Sequence, residues 1–286
     1  DKAGPRYTSY PTAVQFHEGF GPAEYRELVL ASNATGKPLS LYFHIPFCDT
    51  VCFYCACNKV VTKNRRHTVP YLDHLYREIA LQGALFDRAR PVAQLHWGGG
   101  TPTFISADEM RELMRVTGEH FRLLTDDSGE YSIEVDPRET DDRTVALLRE
   151  LGFNRLSLGV QDFDPAVQKA VNRIQSREIT LKVMEAARRE GFKSISVDLI
   201  YGLPLQSVAS FARTVEDISA QSPDRISVFN YAHLPELFKT QRQIDARALP
   251  PPAVKLAILE TTIARLTAAG YVYIGMDHFA KPDDEL

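Results

Sequence analysis

The sequence predicts an α/β fold in which parallel strands build a full or partial TIM-like (β/α) barrel. Three observations carry this expectation. Short β-rich runs alternate with amphipathic stretches from residue 39 onward, glycines stand where the helices should stop, and polar side chains gather at the carboxyl ends of the runs. Repeated βα units demand right-handed crossovers, and hence a parallel sheet; a doubly wound open sheet is the structural alternative.

The strand candidates are Leu39 to His44, Val92 to Trp97, Tyr131 to Val135, Arg155 to Val160, Ser194 to Ile200, Arg225 to Tyr231 and Tyr271 to Gly275. Each is short, and all but Arg155 to Val160 carry two or more β-branched or aromatic residues. Helical periodicity fills the intervals over 68–87, 106–121, 141–151, 176–190, 207–220 and 252–269. Ser106 with Glu109 reads as a capping box, and Thr140 precedes an acidic first turn. Gly152, Gly191 and Gly270 supply the left-handed residue that ends a helix. Leu151-Gly152-Phe153 and Glu190-Gly191-Phe192 share one grammar, leading from a helix into the next strand.

Composition excludes several classes. The chain has 286 residues, 44% of them hydrophobic and 24% charged, which fits an ordinary globular core and rules out disordered, collagen-like and coiled-coil readings. Lys plus Arg is 33 against 37 for Asp plus Glu, a net charge of −4, with no basic run to track a phosphate backbone. Nucleic acid is therefore not an expected partner. No run is long enough to span a membrane and the opening Asp1-Lys2-Ala3-Gly4-Pro5 lacks signal-peptide character, so the expectation is a soluble, cytoplasmic protein.

All 4 cysteines, Cys48, Cys52, Cys55 and Cys57, lie on one loop after the first strand. A disulfide framework would spread its cysteines to close long loops, so this cluster reads as metal or redox chemistry in a reducing compartment. The spacing Cys48-x3-Cys52-x2-Cys55 lets three thiolates cap three irons of a cubane cluster and leave the fourth open to an outside ligand. Zinc is the competing reading. It prefers two pairs of ligands across a longer loop, and Cys55-x-Cys57 is cramped for the usual knuckle. The other strand ends add Gly98-Gly99-Gly100-Thr101-Pro102, Glu134 and Asp136, Gln161 and Asp162, Asp198, Tyr201-Gly202, and Asn230, Ala232 and His233. Loops are polar in any fold, but the gathering of the set favours a site.

A three-cysteine loop of this spacing after the first strand of a repeating βα chain resembles the radical S-adenosylmethionine (SAM) superfamily. Tyr54 before the third cysteine and the Gly98-Gly99-Gly100 motif fit that resemblance, which implies a partial barrel of the radical SAM type with parallel strands. It narrows through Gly4-Pro5-Arg6-Tyr7-Thr8-Ser9-Tyr10-Pro11-Thr12, Tyr42-Phe43-His44-Ile45-Pro46-Phe47-Cys48, Cys55-Ala56-Cys57-Asn58-Lys59, His96-Trp97-Gly98-Gly99-Gly100-Thr101-Pro102-Thr103 and Gly275-Met276-Asp277-His278-Phe279. Together these resemble the oxygen-independent coproporphyrinogen III oxidase (coproporphyrinogen dehydrogenase) family, an oxidoreductase family of haem biosynthesis. The opening segment and Cys57 are where related haem chaperones and haem-opening methyltransferases look different.

The resemblance implies oxidative decarboxylation of two propionates of coproporphyrinogen III to vinyl groups, giving protoporphyrinogen IX. It implies a 4Fe–4S cluster on Cys48, Cys52 and Cys55, and two SAM molecules side by side. Tyr42, Gly99 and Glu134 match positions for the first SAM, and Tyr54, Gly100, Thr101, Gln161, Arg173, Asp198 and Ala232 match the second. Core packing would also explain Tyr42 and Ala232, and a solvated helix face would explain Arg173. Cys57 is one thiol too many for a SAM-ligated cluster and reads as a near neighbour, with a donor or proton-relay role. Together with Tyr10 it is a candidate catalytic residue; Arg6, Tyr7 and Tyr10 are candidates to face the substrate. His44 and His96 read as core or supporting histidines. An outside reductant and an electron acceptor are also implied, and a monomer is expected.

The expected organisation is an N-terminal segment over 1–38 that contacts the barrel mouth and a barrel over 39–286. The family's C-terminal helical domain is expected to be absent, which casts doubt on activity of this piece alone. A haem chaperone that binds haem without decarboxylation and a zinc-binding structural protein are the competing functions.

Overall fold

A computed structural model describes residues 15–286. Its strands are β1 (Leu39–Ile45), β2 (Phe47–Cys48), β3 (Val60–Val61), β4 (Pro91–Gly99), β5 (Arg122–Leu123), β6 (Glu130–Val135), β7 (Arg155–Gln161), β8 (Ser194–Tyr201), β9 (Arg225–Asn230), β10 (Val272–Gly275) and β11 (His278–Ala280). Its α-helices are α1 (Pro22–Asn33), α2 (Thr68–Gly83), α3 (Ala107–His120), α4 (Asp142–Glu150), α5 (Pro165–Ala170), α6 (Arg177–Arg189), α7 (Val208–Ser219) and α8 (Pro252–Ala268). The main sheet runs β1-β4-β6-β7-β8-β9-β11-β10, with β5 beside the foot of β4. From β1 through β9 every pairing is parallel, as βα repetition requires.

The strands alternate. In β6, Tyr131, Ile133 and Val135 are buried against the helices, whereas Ser132 and Glu134 point to the other face. β7 and β8 repeat this, with Leu156, Leu158, Val197 and Leu199 on the helix side and Ser157, Ser196 and Asp198 opposite. The helices answer with matching stripes, such as Met110, Leu113 and Met114 on α3 and Phe211, Val215 and Ile218 on α7. A single large core lies between sheet and helices, with Trp97 fully buried and its ring edge-on to Phe153.

The inner face is the departure from an ordinary TIM barrel, whose interior is packed with branched apolar residues. Here it is polar. A cavity of about 450 Å³ is lined by Ser132, Ser157, Ser196, Ser227, Arg155 and Arg225 among others. Ser40 of β1 and His278 of β11 line the same cavity, so the sheet curls into a partial barrel.

Several expectations need correction. The run 271–275, expected as one more parallel strand, is β10 of an antiparallel hairpin; β11, not anticipated, joins it antiparallel to β9. The cause is the connection: Met276 and Asp277, at φ 48° and 76°, make a two-residue turn, and so short a link cannot make the crossover that parallel strands need. The cap of α4 is Asp141, which accepts from Thr144 N at 2.8 Å; Thr140 instead donates its hydroxyl to the Asp136 carbonyl at 2.9 Å. Helices α1 and α5 were not anticipated. α1 buries only Val29, too little to imprint a periodic pattern, and is held by polar contacts: Tyr25 donates to Gln82 at 2.6 Å and Asn33 to the Leu85 carbonyl at 2.8 Å. Those contacts set the described part of the 1–38 segment against the carboxyl end of α2. The capping box at Ser106 and the left-handed Gly152, Gly191 and Gly270 are as expected.

Candidate active site

The cysteine loop leaves β1 at Ile45 and is braced on its first side by the glycines that end β4. Gly100 N donates to the Ile45 carbonyl at 2.9 Å and Thr101 N to the Phe47 carbonyl at 2.8 Å. A Cβ on Gly100 would lie 2.6 Å from the Phe47 carbonyl oxygen and 2.8 Å from the Pro46 carbonyl, so the loop closes only on a residue without one. Gly99 has φ +122° as well, a conformation that favours glycine. On the second side, Phe53 N donates to the Val171 carbonyl at 2.9 Å and Asn172 Nδ2 to the Val51 carbonyl at 2.8 Å. On the third, Gln241 Nε2 reaches the Tyr54 carbonyl at 3.0 Å, and Lys59 Nζ reaches the Cys55 carbonyl at 3.0 Å.

Inside this bracing lies a cavity of about 270 Å³. It brings together Cys48, Cys52, Cys55, Cys57, Tyr54, Gly99, Gly100, Thr101, Glu134, Gln161, Arg173 and Asp198. Two of the expected residues stand outside its lining. Ala232 is exposed beyond the end of β9. Tyr42 is 58% exposed, which excludes core packing; its ring stacks on His96 with centroids 5.7 Å apart, and its hydroxyl lies 2.9 Å from His44 Nδ1. Arg6, Tyr7 and Tyr10 lie outside the described residues.

Glu134, near the end of β6, and Asp198, within β8, are held by neighbouring side chains and backbone. Glu134 Oε2 accepts from Gly99 N at 3.2 Å, and Glu134 Oε1 lies 3.3 Å from His96 Nε2, whose other nitrogen lies 2.6 Å from Ser132 Oγ. His96 thus touches Glu134, and neither His96 nor His44 is buried in the core. Asp198 Oδ2 accepts from Ser157 Oγ at 3.0 Å. Burial pushes the Asp198 carboxyl up to about 6; its serine hydrogen bonds oppose this and the nearby Glu134 charge adds to it.

Arg173 is buried, not a solvated helix face. It donates to the Gly159 carbonyl at 2.6 Å, to Asp136 at 3.1 Å and to Cys52 Sγ at 3.5 Å. Burial works to raise the Asp136 carboxyl, but the Arg173 and Arg138 guanidiniums outweigh it and hold it below the usual carboxylate range.

The thiols are not equivalent. Burial pushes the Cys48 thiol up to about 11, against the Thr101 hydroxyl that donates to its sulfur at 3.8 Å. Cys57 is exposed and donates to Cys55, which holds the Cys55 thiol down to about 6 and its own thiol up. In this pair the proton rests on Cys57. The site suits a polar cofactor over a thiolate-held cluster, because Gln161 Oε1 and Arg173 Nε are buried at this cavity without partners. Gln161 is held at φ +69° where the β7–β8 register shifts, so backbone strain aims it there. Among the described residues, no three His, Cys, Asp or Glu side chains converge on a single ion.

Sequence reasoning assigned no role to Arg138, Lys59, Ser157 or Gln241. Asp136 stood among the strand-end acids, but nothing in the order of residues announces that Arg138 folds back on it.

Residues 42–218, well over half the chain, match the radical SAM superfamily, and the chain belongs to it. A 4Fe–4S cluster and SAM come with that membership. The chain is 60% identical over its whole length to the oxygen-independent coproporphyrinogen III oxidase of Pseudomonas aeruginosa, and 51% identical over 99% of its length to that of Escherichia coli. It spans 62% and 61% of those two proteins. It superposes with a TM-score of 0.93 on the solved coproporphyrinogen III oxidase of Escherichia coli, described as a radical SAM enzyme, at 50% identity over 98% of this chain and 63% of that one. The solved SuiB of Streptococcus suis shares the fold, with a TM-score of 0.53 at 16% identity over 89% of this chain and 55% of that one.

Proposed function

We propose that this chain carries the catalytic core of an oxygen-independent coproporphyrinogen III oxidase, converting two propionates of coproporphyrinogen III to vinyl groups. The observation that carries the reading is the convergence of the cysteine loop with Glu134, Gln161, Arg173 and Asp198 on one cavity. Similarity over the whole chain to oxidases of that name supports it.

In this reading Cys48, Cys52 and Cys55 hold the cluster. When bound, the cluster and SAM supply an adenosyl radical by one-electron reduction of the sulfonium. Glu134, beside Gly99, takes the ammonium or ribose of a first SAM, with Tyr42 at its edge. Tyr54, Gly100, Thr101, Gln161, Arg173 and Asp198 serve a second, with Ala232 at the rim; Arg173 Nε and Gln161 Oε1 offer one donor and one acceptor still free. Each propionate loses a β-hydrogen atom, then carbon dioxide and one electron. An outside reductant and a terminal acceptor complete the balance. The protein's work is to orient the reacting groups and exclude water.

The test is anaerobic reconstitution of the full-length protein with iron, sulfide, reductant, SAM and coproporphyrinogen III, followed by chromatography of the porphyrins. Protoporphyrinogen IX is expected. Tight haem binding with no vinyl product would favour a chaperone instead. Cys48→Ala, Cys52→Ala and Cys55→Ala should each lose the cluster, whereas Cys57→Ala should keep its iron; loss of iron there would overturn the ligand set.

A further inference from the structure

Past the end of β6 the chain turns through Asp136-Pro137-Arg138, and Asp136 caps that turn by accepting from Arg138 N at 3.0 Å. The same carboxylate grips the Arg138 guanidinium as a fork, from Nη2 to Oδ2 at 2.6 Å and from Nε to Oδ1 at 3.0 Å. Thr140 fastens the turn from below through the Asp136 carbonyl at 2.9 Å. A side chain clamped by a residue two positions away has little rotamer freedom, so the remaining direction of Arg138 is set by the backbone. It points at sulfur: Arg138 Nη2 lies 3.8 Å from Cys52 Sγ. Arg138 and Asp136 are 18% and 9% exposed, so water screens the pair weakly.

We propose that Arg138, clamped by Asp136, is a positioning residue that donates to the Cys52 thiolate and thereby sets the reduction potential and iron retention of the cluster. The proposal rests on the reading of Cys52 as a cluster ligand. A donor on a ligand sulfur draws charge away from iron and stabilises the reduced, more negative form, which raises the potential. Arginine suits this because it is never deprotonated and its planar fork serves carboxylate and sulfur at once. Arg173 contributes a second donor to Cys52, but it also holds the Gly159 carbonyl and serves the cofactor pocket. Arg138 isolates the effect.

The experiment compares full-length, anaerobically reconstituted wild type, Arg138→Gln, Arg138→Lys and Cys52→Ala, without SAM or substrate. A redox titration followed by electron paramagnetic resonance gives the midpoint, and a chelator gives the rate of iron release. Arg138→Gln should bind full iron, show a midpoint shifted to more negative values, and release iron roughly tenfold faster. Arg138→Lys, which keeps the charge and loses the fork, should shift less. Wild-type midpoint and release rate in Arg138→Gln would overturn the proposal. Should the Gln variant take up no iron, the Lys variant is decisive: a negative shift supports the proposal and a wild-type midpoint overturns it. Full iron in Cys52→Ala would sink the ligand reading itself, whereas iron loss there with an unshifted Gln variant sinks this proposal alone.

Discussion

Asp198 shows what a single residue costs and contributes. An acid within an apolar strand is a sequence-level anomaly, and its burial carries a cost, visible in a carboxyl raised to about 6. Its folded pKa lies above its unfolded value, so the native state binds more protons between about pH 4 and 6. Stability therefore falls as pH rises through that window, and the penalty is fully present at pH 7. Asp198→Asn should raise the unfolding free energy at pH 7 by on the order of 1–3 kcal/mol, while weakening SAM binding. Urea denaturation at pH 7 and near pH 4 checks this; an equal gain at both pH values would exclude the burial argument. Gly100 makes the converse case, since a methyl group there meets backbone on the facing loop. Gly100→Ala should cost roughly 1–3 kcal/mol and lower the iron bound per chain.

At the scale of elements, local chemistry was the readable part. Ser106 and Glu109 form their reciprocal cap, with Ser106 N donating to Glu109 at 2.7 Å, and Ser106→Ala should cost about 1 kcal/mol in thermal unfolding with iron content unchanged. An iron loss in that variant would mean that the helix end bears on the site. The strands were legible because apolar alternation and flanking turns are properties of neighbouring residues. The terminal hairpin and α1 were not. In the hairpin the strand pattern was present and its direction was wrong, because direction depends on the length of the connection and on backbone angles at Met276 and Asp277. In α1 the stabilising contacts come from α2 and the segment after it, which no window of sequence contains.

Across the whole molecule, the hollow polar face is the feature with most consequence. Its foot is closed by the 284–286 segment, where Arg225 Nε pairs with Asp284 at 2.8 Å and Arg155 pairs with Glu285. The Asp284 side chain is only 4% exposed, so Asp284→Asn removes a buried charge facing the half-buried Arg225 guanidinium and should cost roughly 1–3 kcal/mol in chemical denaturation. A change within error would place that contact among the exposed pairs that contribute little. No described helix is long and apolar enough to cross a membrane.

The order of residues alone determined the βα rhythm, the cysteine spacing and the glycine motif, because each is written in neighbours along the chain. Which acid meets which arginine was decided only by folding: Asp136, Arg138, Arg173 and Cys52 come from three separate stretches and meet where strand ends converge. Hydrogen bonds and ion pairs act over a few ångströms in space, and separation along the chain does not encode that distance.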